Sequence, residues 1–282
     1  MTRAILRRVR QRLQRASRWA ETYLTAPVLE EKHILEALEE LANPAPHLLL
    51  VHSSLSSCGR VRGGARTVIR ALETWNKGGT IAMPTHSYCY PSATGISPVF
   101  DLQSTSSLVG AISDAFWKQR GVQRSLHPTH SLACEGSGAA ELVAGHEDCD
   151  TPCGRGTPYE RLIDQDAAVL MFGATMNSYT FFHTAEDVAE VPYLYEKDKV
   201  KLRMRAREGS EREMLMRKHD MTIARSFSEK ARWIEERGLL RRVALGRGEL
   251  LLLSHSRLVH DALTEQLRED PWFLTAPRAM AK

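Results

Sequence analysis

Short apolar runs alternate with amphipathic stretches along this chain, and loops of small residues separate them. Leu48-Leu-Leu-Val51 is apolar at every position before His52, which predicts a short strand buried on both faces. Arg62-Gly63-Gly64 then opens a helix over about Ala65 to Trp75, and Gly78-Gly79 ends it before a second strand, Thr80 to Met83. Strand, small-residue loop, helix and strand in succession point to an α/β sheet. Upstream, Ile5, Val9 and Leu13 recur every four residues between arginines, the pattern of a basic amphipathic helix. Pro27 precedes a second helix, about Glu30 to Leu41, which Asn43-Pro-Ala-Pro46 ends. Pro84 to Pro98 reads as an irregular loop. Further helices are predicted over Ser106–Lys118, Gly138–Ala144 and Pro158–Ile163, then a strand over Ala167–Gly173 and a helix from about Thr180. A strand at Lys199–Arg205, a helix at Ser226–Arg237, strand structure around Gly246-Arg-Gly248 and a last helix at Ser256–Leu267 complete the chain. No repeat or low-complexity linker divides it. The expected organisation is a basic helical extension over residues 1–27 and one α/β domain over 28–276.

Composition narrows the class. A chain of 282 residues has ample length for a large core, and none of its apolar runs approaches a membrane span. The N-terminus has no apolar signal core, and five scattered cysteines suit a reducing compartment, so a cytoplasmic location is expected. His146, Cys149 and Cys153 form at most a partial metal site, and no second cluster completes it; no metal is expected. The net charge of +4 hides an asymmetry. Residues 1–20 hold seven arginines and no acid, and residues 201–247 hold fourteen Lys/Arg against seven Asp/Glu. Such segments suit nucleic acid, anionic small molecules, a membrane surface, or solvated helix faces. No base-stacking aromatics interleave with the N-terminal arginines and no nucleic-acid-binding motif is present, so nucleic acid is not expected as a partner. The N-terminal apolar stripe suits packing on the body or on a second copy of the chain, as a homodimer, better than insertion into lipid.

Candidate chemistry gathers in a few places. Thr180-Phe-Phe-His183-Thr-Ala-Glu186 follows the predicted strand, and on a helix His183 and Glu186 lie three apart on one face. A carboxylate that orients an imidazole makes a general base, although a solvated surface pair has the same spacing. His52-Ser53-Ser54-Leu55 follows the first strand, and Gly63-Gly64 precedes a helix. Small residues in such places offer backbone N–H groups to an anion or an oxyanion. The spacing of a nucleotide-triphosphate P-loop is absent. Met83-Pro-Thr85-His86 and Arg124-Ser125-Leu-His127-Pro-Thr-His-Ser131 crowd hydroxyls, imidazoles and a cation into short stretches.

In order, the chain carries Val51-His-Ser-Ser-Leu55, Gly63-Gly64, Gly79-Thr-Ile-Ala-Met-Pro-Thr85 and Arg124-Ser-x-His-Pro-Thr-x-Ser131. His146 with Gly154-x-Gly-Thr-Pro158, His183-x-Ala-Glu186 and Val191-Pro-Tyr193 follow. Over about Glu30 to Phe273 this series resembles the aminoglycoside 3-N-acetyltransferase family. The resemblance implies an antibiotic N-acetyltransferase-like α/β fold, a central mixed sheet flanked by helices. It implies acetyl-CoA as donor and an amine on a sugar-like ring as acceptor. It also implies direct transfer, with His183 as general base and Glu186 as its orienting partner. Ser53, Ser54, Leu55, Gly63, Gly64, Arg124, Ser125, His127 and Ser131 become candidates for holding acetyl-CoA. Thr85, His86, His146 and Asp220 become candidates on the acceptor side. Turn-forming, ion-pairing and helix-end roles stand as alternatives for Ser125, Arg124 and His146.

The match departs where the family often places two carboxylates before its late helix. Here Met216-Arg-Lys-His-Asp220-Met221 has one acid among cations, and His86-Ser-Tyr-Cys-Tyr-Pro91 replaces an acidic residue after Met-Pro-Thr. A phosphate-bearing acceptor suits that surface better than a polycation does. The expected acceptor is therefore a nucleotide-linked amino sugar of polysaccharide synthesis, with an aminoglycoside as the alternative. A non-catalytic membrane-surface or binding protein, built on the basic N-terminal helix, is the alternative of a different class.

Overall fold

The computed structural model describes residues 27–92, 95 and 97–276. The basic helix expected over residues 1–26 lies outside them. In chain order the strands are β1 (Val28–Leu29), β2 (Leu48–Ser53), β3 (Arg60–Val61), β4 (Thr80–Pro84), β5 (Val99–Asp101) and β6 (Gln123–Arg124). They continue as β7 (Leu132–Glu135), β8 (Ala168–Phe172), β9 (Val200–Arg205), β10 (Glu211–Met216), β11 (Arg241–Leu245) and β12 (Gly248–Leu253). The helices are α1 (Glu31–Leu41), α2 (Ala65–Asn76), α3 (Ala111–Phe116), α4 (Ala139–Val143), α5 (Pro158–Asp164), α6 (Phe181–Val188), α7 (Lys230–Glu235) and α8 (Ser256–Glu269).

Seven strands form the central sheet in the order β11-β12-β8-β2-β4-β7-β6. Its middle three, β8, β2 and β4, are parallel, and antiparallel strands flank them on both sides, so the sheet is mixed. The uninterrupted apolar character of the middle strands follows from burial on both faces. Leu49, Val51, Leu170 and Phe172 point to one side, against Leu38 of α1, Leu72 of α2 and Phe116 of α3. Leu50, Val169 and Met171 point to the other, against Leu142 of α4, Leu162 of α5, Phe181 of α6 and Leu263 of α8. Each side chain of this size withdrawn from water contributes about 1.5–3 kcal/mol before the entropy of ordering is set against it. A third cluster lies apart, where β5 and the β9–β10 hairpin bury Phe100, Leu202, Met204, Met214 and Met216.

The predicted elements are present with several differences, and the short strands β1, β3, β5, β6 and β7 are not expected from the sequence. The helix expected over Ser106–Lys118 is only α3, because Gly110 sits at φ 119 and Leu108 is exposed. The Ser107 N–H instead bonds back to Asp114 Oδ1 at 2.9 Å, which folds the preceding loop over the helix. Strand β10 is likewise not expected. Its inward residues are methionines and its exposed Leu215 breaks the expected alternation, so pairing with β9 decides it. Helix Ser226–Arg237 divides into a 3-10 turn, Phe227–Glu229, and α7. Among the described residues no helix is long and apolar enough to cross a membrane.

Gly173 ends β8 at φ 64 and turns the chain toward residues 174–180. A Cβ there would lie 2.6 Å from Cys58 Sγ and 2.8 Å from Ser54 O. Gly173→Ala is expected to destabilise the fold by about 2 kcal/mol through the left-handed backbone and this crowding. Urea denaturation measures it; a wild-type midpoint would contradict the tight turn.

Candidate active site

Three parallel strands deliver their C-terminal ends to one place. β2 ends in His52-Ser53, β4 ends in Pro84 just before His86, and β8 leads through Gly173 to Asn177–Thr180. In an open α/β sheet, ligands bind in the crevice beyond such ends, where neighbouring connections leave in opposite directions. Here β2 continues through α2 to β4 on one side, while β8 lies on the other. A cavity of about 180 Å³ occupies this position, lined by His52, Ser53, Pro84, His86, Tyr88, Val109, Ser113, His130, Asn177, Ser178, Tyr179, Thr180 and His183.

Helix α6 carries the imidazole. It buries Phe181, Phe182 and Ala185 in the core, and Phe182 stacks on Phe227 at 4.6 Å. The three-residue spacing brings His183 and Glu186 together, with Nδ1 2.6 Å from Glu186 Oε2. The carboxylate is wholly buried, whereas the His183 side chain is 18% exposed. The carboxylate accepts the Nδ1–H, so the neutral ring carries its lone pair on Nε2. His219 lies against the ring at 4.3 Å and Phe227 meets its edge at 5.2 Å. A wider cleft of about 630 Å³ opens beyond, among Tyr90, His219, Met221, Ile223, Arg225 and Phe227. Tyr88, His130, Asn177 and His183 border both spaces, so His183 stands where they meet.

The surrounding imidazoles are uncharged. Burial lowers His52 and His86 to about 3, and it pushes His130 and His219 well below the ordinary imidazole range. Ser53 Oγ, His52 Nε2 and Tyr179 OH are buried polar atoms with no hydrogen-bond partner in the protein, and all three residues line the cavity. Unpaired buried polar atoms cost free energy unless something else pairs them, and a carbonyl-bearing ligand would do so.

Of the candidates read from sequence, His183, Glu186, Ser53 and His86 converge here. The others are placed differently. The Ser54 N–H donates to Phe172 O at 2.9 Å and so is not free for an oxyanion, and its hydroxyl pairs with Ser57 Oγ. Leu55 packs against the core, and Gly63 and Gly64 (φ 80 and 62) form the turn into α2. Arg124 is buried: its guanidinium donates to Thr85 Oγ1, Ser131 Oγ, Thr105 O and Thr85 O and stacks over Trp117 at 4.3 Å. Thr85 and Ser131 thereby belong to the hydrogen-bond network around Arg124. Ser125 Oγ bonds His146 Nδ1 at 2.9 Å, His146 Nε2 donates to Pro152 O, and His127 stacks on His146 at 4.1 Å, all fully buried. Asp220 spends its carboxylate on the N–H and hydroxyl of Thr222. Among the described residues no group of His, Cys, Asp and Glu has metal-ligand geometry. The sequence reading did not single out His52, His130, Tyr179, His219 or Arg225 as site residues; for His52 and His130 their place inside the quoted motifs was the available signal.

The family profile described as aminoglycoside 3-N-acetyltransferase matches residues 50–266. Aminoglycoside N(3)-acetyltransferase IV of Salmonella sp. is 30% identical over 233 residues, 82% of this chain and 84% of that protein. Aminoglycoside N(3)-acetyltransferase III of Salmonella sp. is 32% identical over 177 residues, 57% of this chain and 62% of that protein. The match thus spans about three fifths of the length of the type III relatives. Among solved structures, a histidine-to-alanine variant of aminoglycoside acetyltransferase AAC(3)-IVa in complex with a gentamicin superposes with a TM-score of 0.76. It shares 26% identity, and the alignment covers 89% of this chain and 93% of that one.

The buried imidazoles set an acid limit on the fold. His52, His86 and His146 are lowered to about 3, and His127, His130 and His219 also lie well below 6.5, each chiefly through burial. Above about pH 6.5 folded and unfolded chains both hold them neutral. As pH falls from there toward 3, the unfolded chain takes up protons that the fold refuses, and stability is lost by about 1.4 kcal/mol per pH unit for each imidazole. Thermal melts are expected to show a midpoint that falls steeply below about pH 6.5, with unfolding at ambient temperature by about pH 5. A midpoint unchanged from pH 8 to 5 would contradict neutral burial.

Proposed function

Because the chain belongs to the aminoglycoside 3-N-acetyltransferase family, we propose that it transfers the acetyl group of acetyl-CoA to a primary amine of an aminoglycoside-type amino sugar. The observation that carries this reading is the placement of the His183–Glu186 pair where the small cavity and the wider cleft meet. Acetyl-CoA supplies an acetyl group already activated as a thioester. The small cavity suits the thioester carbonyl, with the unpaired Ser53 and Tyr179 hydroxyls as donors to its oxygen as charge develops. The wider cleft, walled by Tyr88, Tyr90 and Phe227, suits a sugar ring.

His183 Nε2 takes a proton from the amine as its nitrogen attacks the carbonyl carbon. Glu186 holds the tautomer and compensates the imidazolium that forms. As the carbon–sulfur bond breaks, the same imidazolium can return its proton to the leaving thiolate. An amide and a free thiol result, and no covalent acetyl-enzyme is required, because an unprotonated amine is itself a competent nucleophile.

The electrostatic ground for a nucleotide-linked acceptor is weaker than the sequence suggested. In the basic 201–247 segment, Lys201 pairs with Glu213, Arg203 and Arg205 with Glu211, Arg212 with Asp148, Lys218 with Glu196, and Arg242 with Glu235 and Glu249. These cations sit in surface ion pairs. Arg225, the cation lining the wider cleft, faces Glu186. The relatives' substrates therefore favour an aminoglycoside amine.

Release of free coenzyme A is expected with gentamicin or apramycin as acceptor and not with a nucleoside-diphosphate amino sugar. The reverse pattern would replace the acceptor class. His183→Ala is expected to lower kcat by about 100- to 10,000-fold with the fold retained. Glu186→Gln should cost less, about 10- to 100-fold, since the base remains but loses its charged partner. Wild-type turnover by the His183 variant would remove it from the mechanism.

A further inference from the structure

Glu186 presents an electrostatic problem that His183 alone does not solve. Its carboxylate is 0% exposed, and one oxygen, Oε2, is taken by His183. The other, Oε1, makes no hydrogen bond of standard geometry, and the carboxylate's nearby hydroxyl, that of Tyr193, brings no charge. The Arg225 guanidinium, itself 8% exposed, brings Nε to 3.6 Å from Oε1. Arg225 is held from its far side, where Nη1 donates to the carbonyls of Asp220 and Ile223. Its backbone bridges Thr275, and its guanidinium lies over the Tyr193 ring at 5.4 Å. Nε and Nη2 make no hydrogen bond, so the charge is aimed into the protein and not spent elsewhere.

We infer that Arg225 is a positioning residue for the acetyl-transfer base: it compensates the buried charge of Glu186 and so keeps that carboxylate on His183 Nδ1. The inference rests on the acetyltransfer reading and extends it from two residues to three. A buried carboxylate without a counter-charge is strongly disfavoured, and a guanidinium within 4 Å is an effective compensation.

The other groups around the pair do not fill this role. On α6, Asp187 is bonded to the Tyr195 hydroxyl at 2.6 Å and to the Arg155 N–H. His219, His86 and His130 are neutral through burial. The thiol of Cys153 and the phenol of Tyr193 are both raised by burial and by Glu186 among their neighbours, so they too stay neutral. Asp270, facing Tyr193, adds negative charge. Arg155 and Arg217 line a separate cleft that Glu186 also borders, with Arg217 stacked on Tyr195 at 4.0 Å. Among the described residues, Arg225 is the Lys or Arg in ion-pair range of Glu186.

The working base is a neutral imidazole beside a carboxylate, one negative charge in all; adding a proton makes the pair neutral. A nearby cation favours the charged form, and its loss makes the pair hold a proton to higher pH. In Arg225→Gln the acid limb of the kcat/KM profile is expected to move up by about one pH unit or more, giving about tenfold lower activity at pH values on the wild-type acid limb and recovery toward pH 9. Arg225→Lys should restore most of the wild-type profile. In a Glu186→Gln background, Arg225→Gln should add little further loss of activity or of thermal stability, since no buried charge remains to compensate. That double variant keeps the test open if Arg225→Gln alone folds poorly. An unshifted acid limb, failure of the lysine variant to restore it, or full additivity in the double variant would overturn the inference. Absence of coenzyme A release by the wild-type protein, or full activity of His183→Ala, would instead overturn the acetyltransfer reading beneath it.

Discussion

A carboxylate sealed from water has to be compensated from inside the protein, and Glu186 imposes that demand on everything near it. His183 takes one oxygen at 2.6 Å and Arg225 faces the other at 3.6 Å. Their positions depend on parts of the chain far apart in sequence. His183 rides on α6, which is anchored by Phe181 and Phe182 in the core beneath it. Arg225 arrives on a loop tied to the carbonyls of Asp220 and Ile223. Burial strengthens both interactions by excluding the solvent that would screen them, and the same burial makes the loss of either partner costly.

The polar groups farther back do a different job. Arg124, Thr85 and Ser131 form one knot; Ser125, His146 and His127 form another. The first ties the end of β4 to β6 and to the residue before β7, and the second ties the β6–β7 loop to the turn at His146 that follows α4. They pair the backbone and side-chain polar atoms of those loops, which would otherwise be buried and unsatisfied. Three buried polar atoms without a partner, on His52, Ser53 and Tyr179, lie at the cavity wall.

Periodicity alone marked the three parallel strands and the helices between them, because strands buried on both faces must be apolar at nearly every position. The spacing of His183 and Glu186 was equally legible, since residues three apart on a helix share a face. A dense histidine and hydroxyl motif such as Arg124–Ser131 announced that something polar was buried there. It did not say whether those groups face a ligand or one another.

Only the tertiary structure decided that. Sequence order carries no information about which side of a loop faces the cavity, so Thr85 and His86, adjacent in the chain, part ways: one joins the buried knot and the other lines the cavity. Charge counts likewise read the 201–247 segment as basic, while folding sets its cations beside acids from the same hairpin and from distant turns. What the chain determined by itself is local: strand, helix and the spacing of an acid and an imidazole on one turn. Contacts between residues remote in sequence, such as Arg225 with Glu186, exist only once the core has brought their elements together, because hydrophobic packing and not local propensity sets those distances.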